Sequence, residues 1–193
     1  MTRGVGPGRI SAWAAVARDL SDDLTTAEAG FIVAFAAWEA LRTRTLAVAL
    51  YRQGYTMKVA HSFLGDSSLN DRVPVSQLAP IIFGRNPHNL PGAGRDWSRM
   101  DGWSRHRNGL IHGLTTYNPE RLQLGAFEML ELLTDTGWLR NAPVPVELGG
   151  PTDHTIALGD VLSTQRTGSR NREDAHTLAR KIRDLRKAGK GSG

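Results

Sequence analysis

The sequence has 193 residues, with 24 Lys and Arg against 19 Asp and Glu, six His and no Cys. That length is ample for a domain with a buried core, and a hydrophobic content of 40% is typical of a folded chain rather than a disordered one. The absence of cysteine excludes disulfide scaffolds, thiolate zinc sites, iron–sulfur clusters and cysteine nucleophiles.

The formal net charge of +5 is unevenly distributed along the chain. Residues 166–190 carry +6, whereas residues 1–165 sum to −1. Since the body is nearly neutral, the basic end is the part that could attract nucleic acid without sequence preference.

Helical periodicity dominates the first half of the chain. It predicts four helices, over residues 11–20, 25–54, 56–64 and 76–83. Ser11 is the expected cap of the first helix, and Thr25 with Glu28 forms a capping-box pattern at the start of the second. The run 29–41 within that second helix is apolar on every side. At 13 residues it is too short to span a bilayer, so it indicates a central or interface helix.

The second half mixes helices with irregular segments. Helices are predicted over 96–114, 118–137 and 171–188, with Asn118 and Asn171 as caps. Residues 84–95 form a Gly/Pro/Asn loop, and 142–170 form a small hairpin or an irregular lobe. We predict a mainly all-α fold with a helical domain over 1–138. Residues 139–193 then form an irregular segment and a basic C-terminal helix, packed on that domain or extending it.

Several site classes find no support in the sequence. The glycines of residues 4–9 lack the preceding strand and the Lys-Ser/Thr of a phosphate loop. The histidines are scattered without metal-ligand spacing, so no metal and no cofactor is predicted. The N-terminus has no apolar stretch of a secretory signal, which favours a cytoplasmic protein without a membrane segment.

The chemically distinctive segment is RNGLIHG at residues 107–113. Arg107 and His112 form an R-x4-H pattern, with Asn108 directly after the arginine. The bare spacing is weak evidence, because the many arginines of this chain supply such pairs by chance. The longer string carries the signal.

This string resembles the signature of the HEPN superfamily (higher eukaryotes and prokaryotes nucleotide-binding domain), which is R-x4–6-H, often with Asn after the Arg. The resemblance covers about residues 11–138. It implies a HEPN-like helical bundle and a metal-independent endoribonuclease of the toxin or phage-defence type. Such enzymes work as homodimers that join two motifs at one cleft, and they leave 2′,3′-cyclic phosphate and 5′-OH ends. An antitoxin or regulatory protein is a further implied partner.

Carried over residue by residue, the resemblance makes His112 the general acid/base at the ribose 2′-OH. Arg107 would hold the scissile phosphate and Asn108 would orient one or both. The residue types suit these roles, because imidazole titrates near neutral pH and a guanidinium matches two phosphate oxygens.

Helix geometry complicates this assignment. In a regular helix Arg107 and His112 point about 140° apart, whereas Asn108 and His112 share a face. The pair converges only if the arginine side chain wraps round the helix, the turn is irregular, or a second subunit completes the site. The alternative is a structural pair, with a buried histidine and a salt-bridged arginine.

Three further residues are candidates for supporting the site. Glu39 is the only polar residue in the apolar run 31–41, so it is expected to be a buried carboxylate with a partner. That partner is either Arg107 or, as we favour, Arg42 in an ordinary i,i+3 surface pair. Arg105 and His106 flank the motif and add positive charge.

Five cationic residues are candidate RNA contacts, although solvated surface is the default interpretation. They are Arg85, His88 and Arg95 in the loop, and Arg172 and Lys181 in the basic segment. Trp97, Met100 and Trp103 fall at helical spacing and are expected in the core rather than as base-stacking platforms. Two rival functions stay open: a non-catalytic HEPN-like module that binds RNA, nucleotide or a partner protein, and a DNA-binding protein that uses the basic helix.

Overall fold

The computed structural model describes residues 6–90, 94–113, 116–134, 142–163 and 173–190. The fold is mostly helical, at 72%, which confirms the predicted all-α class. Its helices are α1 Pro7–Ser21, α2 Ala27–Arg52, α3 Met57–Gly65, α4 Val75–Ile82, α5 Gly94–Ile111, α6 Pro119–Thr134, α7 Leu158–Leu162 and α8 Ala175–Lys190. Strands β1 Ala142–Pro145 and β2 Thr152–Ile156 form an antiparallel hairpin between α6 and α7. This hairpin is one of the two forms predicted for that segment.

Helix α2 is the centre of the molecule. It packs against α1, α3, α4, α5, α6 and α7, and its side chains Phe31, Trp38 and Leu41 are completely buried. The segment Leu24–Arg52 is long and apolar enough to cross a membrane by length and composition, unlike the shorter run considered above. A central core helix meets the same criterion, and half of the most apolar window is buried against other helices.

The first two helices begin differently from the sequence prediction. Helix α1 starts at Pro7, because proline suits the first turn, and Ser11 lies inside the helix with its hydroxyl donating to the Pro7 carbonyl. The predicted Thr25 capping box is wrong. A 3₁₀ turn over Leu24–Thr26 precedes α2, and Asp23 caps this turn by accepting a hydrogen bond from the Thr25 amide at 2.8 Å.

Two later helix starts show local capping. Asn118 accepts from the Glu120 amide at 2.8 Å, so the predicted cap of α6 is confirmed. Helix α8 is capped by Asp174, which accepts from the Thr177 amide at 2.8 Å. The cap predicted for that helix, Asn171, lies outside the described residues.

An aromatic cluster joins α2, α4 and α5. The Trp97 ring lies edge-on to Trp38 and to Phe83, with ring centres 6.0 and 6.2 Å apart. Met100 and Trp103 are also buried, which confirms that the Trp97–Trp103 stripe is core. Gly125 permits this packing, because a Cβ at that position would lie 2.9 Å from the Phe31 ring and 3.1 Å from the Trp103 ring.

The described residues after position 141 pack on the helical body. Arg44 of α2 donates to the carbonyl oxygens of Val161 and Ser163, the second at 2.8 Å, and so holds α7 in place. Leu178 and Ile182 of α8 are buried where that helix meets α3 and α4. The predicted domain boundary at residue 138 stays a prediction.

Helix α3 brings His61 close to Arg44, and this generates a prediction for stability. Burial, followed by the Arg44 charge, lowers the pKa of His61 below its ordinary value of 6.5. The folded protein therefore keeps His61 neutral at a pH where the unfolded chain binds a proton. We expect the free energy of unfolding to fall as the pH drops through about 6.5, with a smaller fall in the His61→Gln variant. Urea titrations at several pH values measure the difference.

The matched control is Lys58→Gln, which replaces an exposed basic residue of the same helix. Its pH dependence should follow that of the wild type. Equal pH dependence of the wild type and His61→Gln would contradict the assignment.

Candidate functional site

The predicted motif lies at the C-terminal end of α5. The helix is regular from Gly94 to Ile111, and the His112 amide still donates to the Asn108 carbonyl at 3.1 Å. Gly113 then ends the helical path with a left-handed φ of +62°, a conformation that glycine adopts readily. The regularity of this segment eliminates an irregular turn as the way in which the motif residues converge.

Arg107 is held on three sides. Its guanidinium carbon lies 5.7 Å from the centre of the Phe35 ring, Nη1 donates to Asn108 Oδ1 at 3.0 Å, and Nη2 is 4.0 Å from Glu39 Oε2. The side chain is nevertheless 34% exposed. Because it reaches Asn108, the guanidinium wraps toward the helix face that Asn108 shares with His112.

His112 is exposed just after the end of α5, so the alternative of a buried structural histidine is wrong. Among the described residues its ring makes neither a hydrogen bond nor an ion pair, with Arg107 or with any other side chain. Within the described part of the chain, neither ring nitrogen is occupied by another side chain. The structural pairing foreseen for Arg107 does occur, because Glu39 lies beside it.

Glu39 lies between two arginines. One carboxylate oxygen is 4.0 Å from Arg107 and the other is 3.8 Å from Arg42. The expectation of a buried carboxylate is wrong, since Glu39 is 41% exposed. The favoured i,i+3 pair with Arg42 is present, although it is not an ordinary surface pair because Arg42 is only 12% exposed. The sequence posed the two partners as alternatives, and the fold provides both.

The buried member of this group is Arg42. Its Nη1 lies 3.9 Å from Asp101 of α5. Burial lowers the pKa of Arg42, while the charges of Glu39 and Asp101 act in the opposite direction. Residues of α2 and α5 thus pair in antiparallel order, with Asp101 beside Arg42 and Arg107 beside Glu39.

The same charge chain extends to the loop before α5. His88 Nε2 is 3.4 Å from Asp101 Oδ2, and His88 Nδ1 is 2.7 Å from Ser98 Oγ. His88, predicted as an RNA contact, is thereby tied to α5, although it stays 40% exposed. The sequence pointed to Arg42 as a partner of Glu39 through their i,i+3 spacing but gave no indication of Asp101.

The two residues that flank the motif differ in their surroundings. His106 lies between the rings of Trp103 and Tyr117, with ring centres 4.8 Å away on each side. This stacking occurs on the opposite side of α5 from Asn108, so His106 is a packing residue. Arg105 is exposed and contributes positive charge beside the motif, as predicted.

The remaining RNA-contact candidates are dispersed. Arg85 is exposed in the loop after α4, and Lys181 of α8 is engaged with Glu173 at 2.7 Å. The side chain of Arg95 and the whole of Arg172 lie outside the described residues. No group of three potential metal ligands converges within the part of the chain that the structure describes.

No family model, curated protein or solved structure matches this chain. The HEPN resemblance accordingly stays a prediction that rests on the string Arg107–Gly113 and on the helical layout. The chemistry available at the end of α5 can be described without it. An exposed imidazole lies on the same face as an amide, and that amide holds a partly exposed guanidinium.

The Arg42 environment yields a stability prediction. Removing both carboxylates in Glu39→Ala/Asp101→Ala leaves a nearly buried guanidinium uncompensated, so the free energy of unfolding should fall by about 1–3 kcal/mol. Arg42→Met removes the buried charge and fills similar volume, and it should be neutral or stabilising. Urea denaturation compares the variants.

The control is Asp19→Ala, which removes an exposed carboxylate of α1 and should change the free energy of unfolding by less than about 0.5 kcal/mol. Strong destabilisation by Arg42→Met would show that Arg42 is a net stabilising element instead.

Proposed function

We propose that this protein is a metal-independent endoribonuclease of the HEPN toxin or phage-defence type. The observation that carries the proposal is the arrangement at the end of α5. Exposed His112 and Asn108 share a helix face, and Asn108 accepts a hydrogen bond from the Arg107 guanidinium. A general acid/base, a hydrogen-bonding group and a phosphate-binding cation are the three components that ribonucleotide cleavage without metal needs.

The reaction begins at a ribose 2′-OH. His112 accepts its proton, the 2′ oxygen attacks the adjacent phosphorus, and the P–O5′ bond breaks. His112 is then an imidazolium, and it returns the proton to the departing 5′ oxygen. The other product is a 2′,3′-cyclic phosphate. DNA is not a substrate because it lacks the 2′-OH.

Arg107 suits the phosphate-binding role because its charge is permanent and its fork of N–H groups matches two phosphate oxygens. Its 4.0 Å separation from Glu39 is too long for a hydrogen bond, so a phosphate can approach Nη2 without breaking one to Glu39. The Glu39 charge and the Phe35 ring keep the guanidinium at the end of α5 between substrates. Glu39 is thus a positioning residue.

A homodimer is part of the proposal. Within one chain, no hydrogen bond or ion pair in the described ranges joins Arg107 to His112. A second copy that places its His112 opposite this Arg107 completes the constellation. RNA is the substrate, no cofactor is needed, the enzyme acts in the cytoplasm without a membrane, and an antitoxin or regulatory protein controls it.

The second candidate is a non-catalytic helical module that binds RNA, nucleotide or a partner protein. One observation favours it, namely that Arg107 already has the three neighbours Phe35, Asn108 and Glu39, which suffice for a structural arginine. Under this alternative, binding persists while cleavage is absent.

The first test is cleavage of total RNA by the purified protein in EDTA. The His112→Ala variant should cleave about 10²–10⁴-fold more slowly, because general acid–base catalysis contributes a factor of that size. Arg107→Ala should lose about 10²–10³-fold through weaker stabilisation of the charge that develops on the phosphate. The product ends should be 2′,3′-cyclic phosphate and 5′-OH.

His176→Ala and Arg121→Ala are the matched controls, since both replace exposed residues of the same type on other helices. They should cleave at the wild-type rate. An inactive wild type, or full activity of the His112→Ala variant, would overturn the enzymatic proposal and favour the binding module.

The composite site is tested by mixing the two inactive variants. If Arg107 of one subunit works with His112 of the other, a heterodimer of Arg107→Ala and His112→Ala contains one intact site. After random exchange of equal amounts, we expect about a quarter of wild-type activity, since half of the dimers are mixed and each holds one of two sites. Sites formed within a single chain would give no recovery.

A further inference from the structure

We propose that the exposed face of α8, together with the loop before α4, is a docking surface for the phosphate backbone of single-stranded RNA, separate from the site on α5. The proposal rests on the ribonuclease function above for the identity of the polyanion. The residues that form this basic surface are the exposed Arg72, Arg180 and Lys187 and, at its edge, the half-buried Arg183 and Arg186.

Helix α8 packs on the rest of the protein through its apolar side. Leu178, Ala179 and Ile182 bury its apolar side, and Leu185 lies beside Gly149 of the β1–β2 turn, where a Cβ would approach the leucine to 2.9 Å. The opposite side of the helix is therefore presented in a fixed orientation. Arg180 and Lys187 are both exposed there. Their i,i+7 spacing extends about 10 Å along the helix.

Two of the cations on α8 are already paired with carboxylates. Lys181 is paired with Glu173 at 2.7 Å. Arg183 forms a two-pronged pair with Asp71, with N–O distances of 3.0 and 2.8 Å. Arg180, Arg186 and Lys187 make no hydrogen bond or ion pair within the described part of the chain. Within that part of the chain, a polyanion can therefore bind them without displacing a hydrogen bond or an ion pair.

Arg183 holds the loop before α4 in place through Asp71. Asp71 and Arg72 both have left-handed backbones, with φ of 55° and 56°, which non-glycine residues rarely adopt. The hydrogen bonds from Arg183, and the charges of Arg183, Arg186 and Lys187, lower the pKa of Asp71. The pairing fixes the strained turn beside α8, and exposed Arg72 follows in the chain.

The carboxylates near the basic surface do not neutralise it. The basic surface has five cations against two carboxylates, Asp71 and Asp184, for a net formal charge of +3. Four of the five cations are arginines, whose guanidinium fork suits phosphate oxygens. Phosphate contacts of this kind give affinity without sequence preference and depend strongly on salt.

The test measures binding separately from cleavage. In a His112→Ala background, a fluorescent unstructured RNA of about 16 nucleotides is titrated at about 50–200 mM salt. The Arg180→Ala/Lys187→Ala variant should bind about tenfold more weakly. Its slope of log K against log salt should be shallower by about 1.4, because each phosphate contact to single strands contributes about 0.7.

Two controls accompany this variant. Arg18→Ala/Arg121→Ala removes the same charge from exposed positions on α1 and α6, and it should keep the wild-type slope. Arg180→Lys/Lys187→Arg keeps the charge and should also retain the slope, which separates charge loss from any effect on folding.

Several results would overturn the proposal. These are no RNA binding at the lowest salt, an unchanged slope in Arg180→Ala/Lys187→Ala, or an equal loss in the α1/α6 control. Preferential binding of duplex DNA, or of phosphatidylserine vesicles, through the same residues would replace RNA by that partner. Cleavage of a dinucleotide that is too short to reach α8 should be unaffected in the surface variant, so failure of this proposal is distinguishable from failure of the ribonuclease proposal.

Discussion

The structure depends on burying the apolar side chains of the central helix α2. Exposing them to water would be costly, so six of the described helices pack against α2. This constraint leaves few places on α2 where a polar side chain meets solvent. Glu39 occupies one of them, at the edge of the contact with α5, and that is why the charged residues of both helices gather there.

The charged groups at this edge form an alternating chain rather than isolated pairs. Arg107, Glu39, Arg42 and Asp101 follow one another with separations of 3.8 to 4.0 Å, and the His88 ring lies 3.4 Å from Asp101 at the end of the chain. Most of these groups are partly solvated, so each link contributes little to stability by itself. Arg42 matters most in this chain, because its nearly buried charge fixes the positions of the Glu39 and Asp101 carboxylates. The orientation of Arg107 is thus set from the interior of the protein outward.

Local signals in the sequence predicted local structure well. Asn118 and Pro119 specify the start of α6 within a few residues, and the structure agrees. The Thr25–Glu28 pattern failed because Asp23, two residues earlier, captured the Thr25 amide in a 3₁₀ turn. Competing caps a few residues apart have similar energies, and tertiary packing decides between them.

Longer-range features of the site could not be predicted from one sequence. The string 107–113 located Arg107, Asn108 and His112, and helix geometry correctly placed the last two on one face. The approach of Asp101 to Arg42, or of Arg183 to Asp71 across 112 residues, depends on how helices pair in space. The ion pairing of Lys181 also depends on the fold, because its partner Glu173 lies outside α8 and eight residues earlier in the chain.

The hydrogen bonds from Arg44 to the carbonyls of Val161 and Ser163 bear on the order of folding during synthesis. Arg44 lies on the central helix, yet its acceptors leave the ribosome more than one hundred residues later. Until then, water or a transient partner must hydrogen-bond to the half-buried Arg44 guanidinium in the space that α7 later fills. The central bundle therefore completes its polar interior only when the chain beyond the hairpin has arrived, so truncation after α6 would remove acceptors that the bundle itself uses.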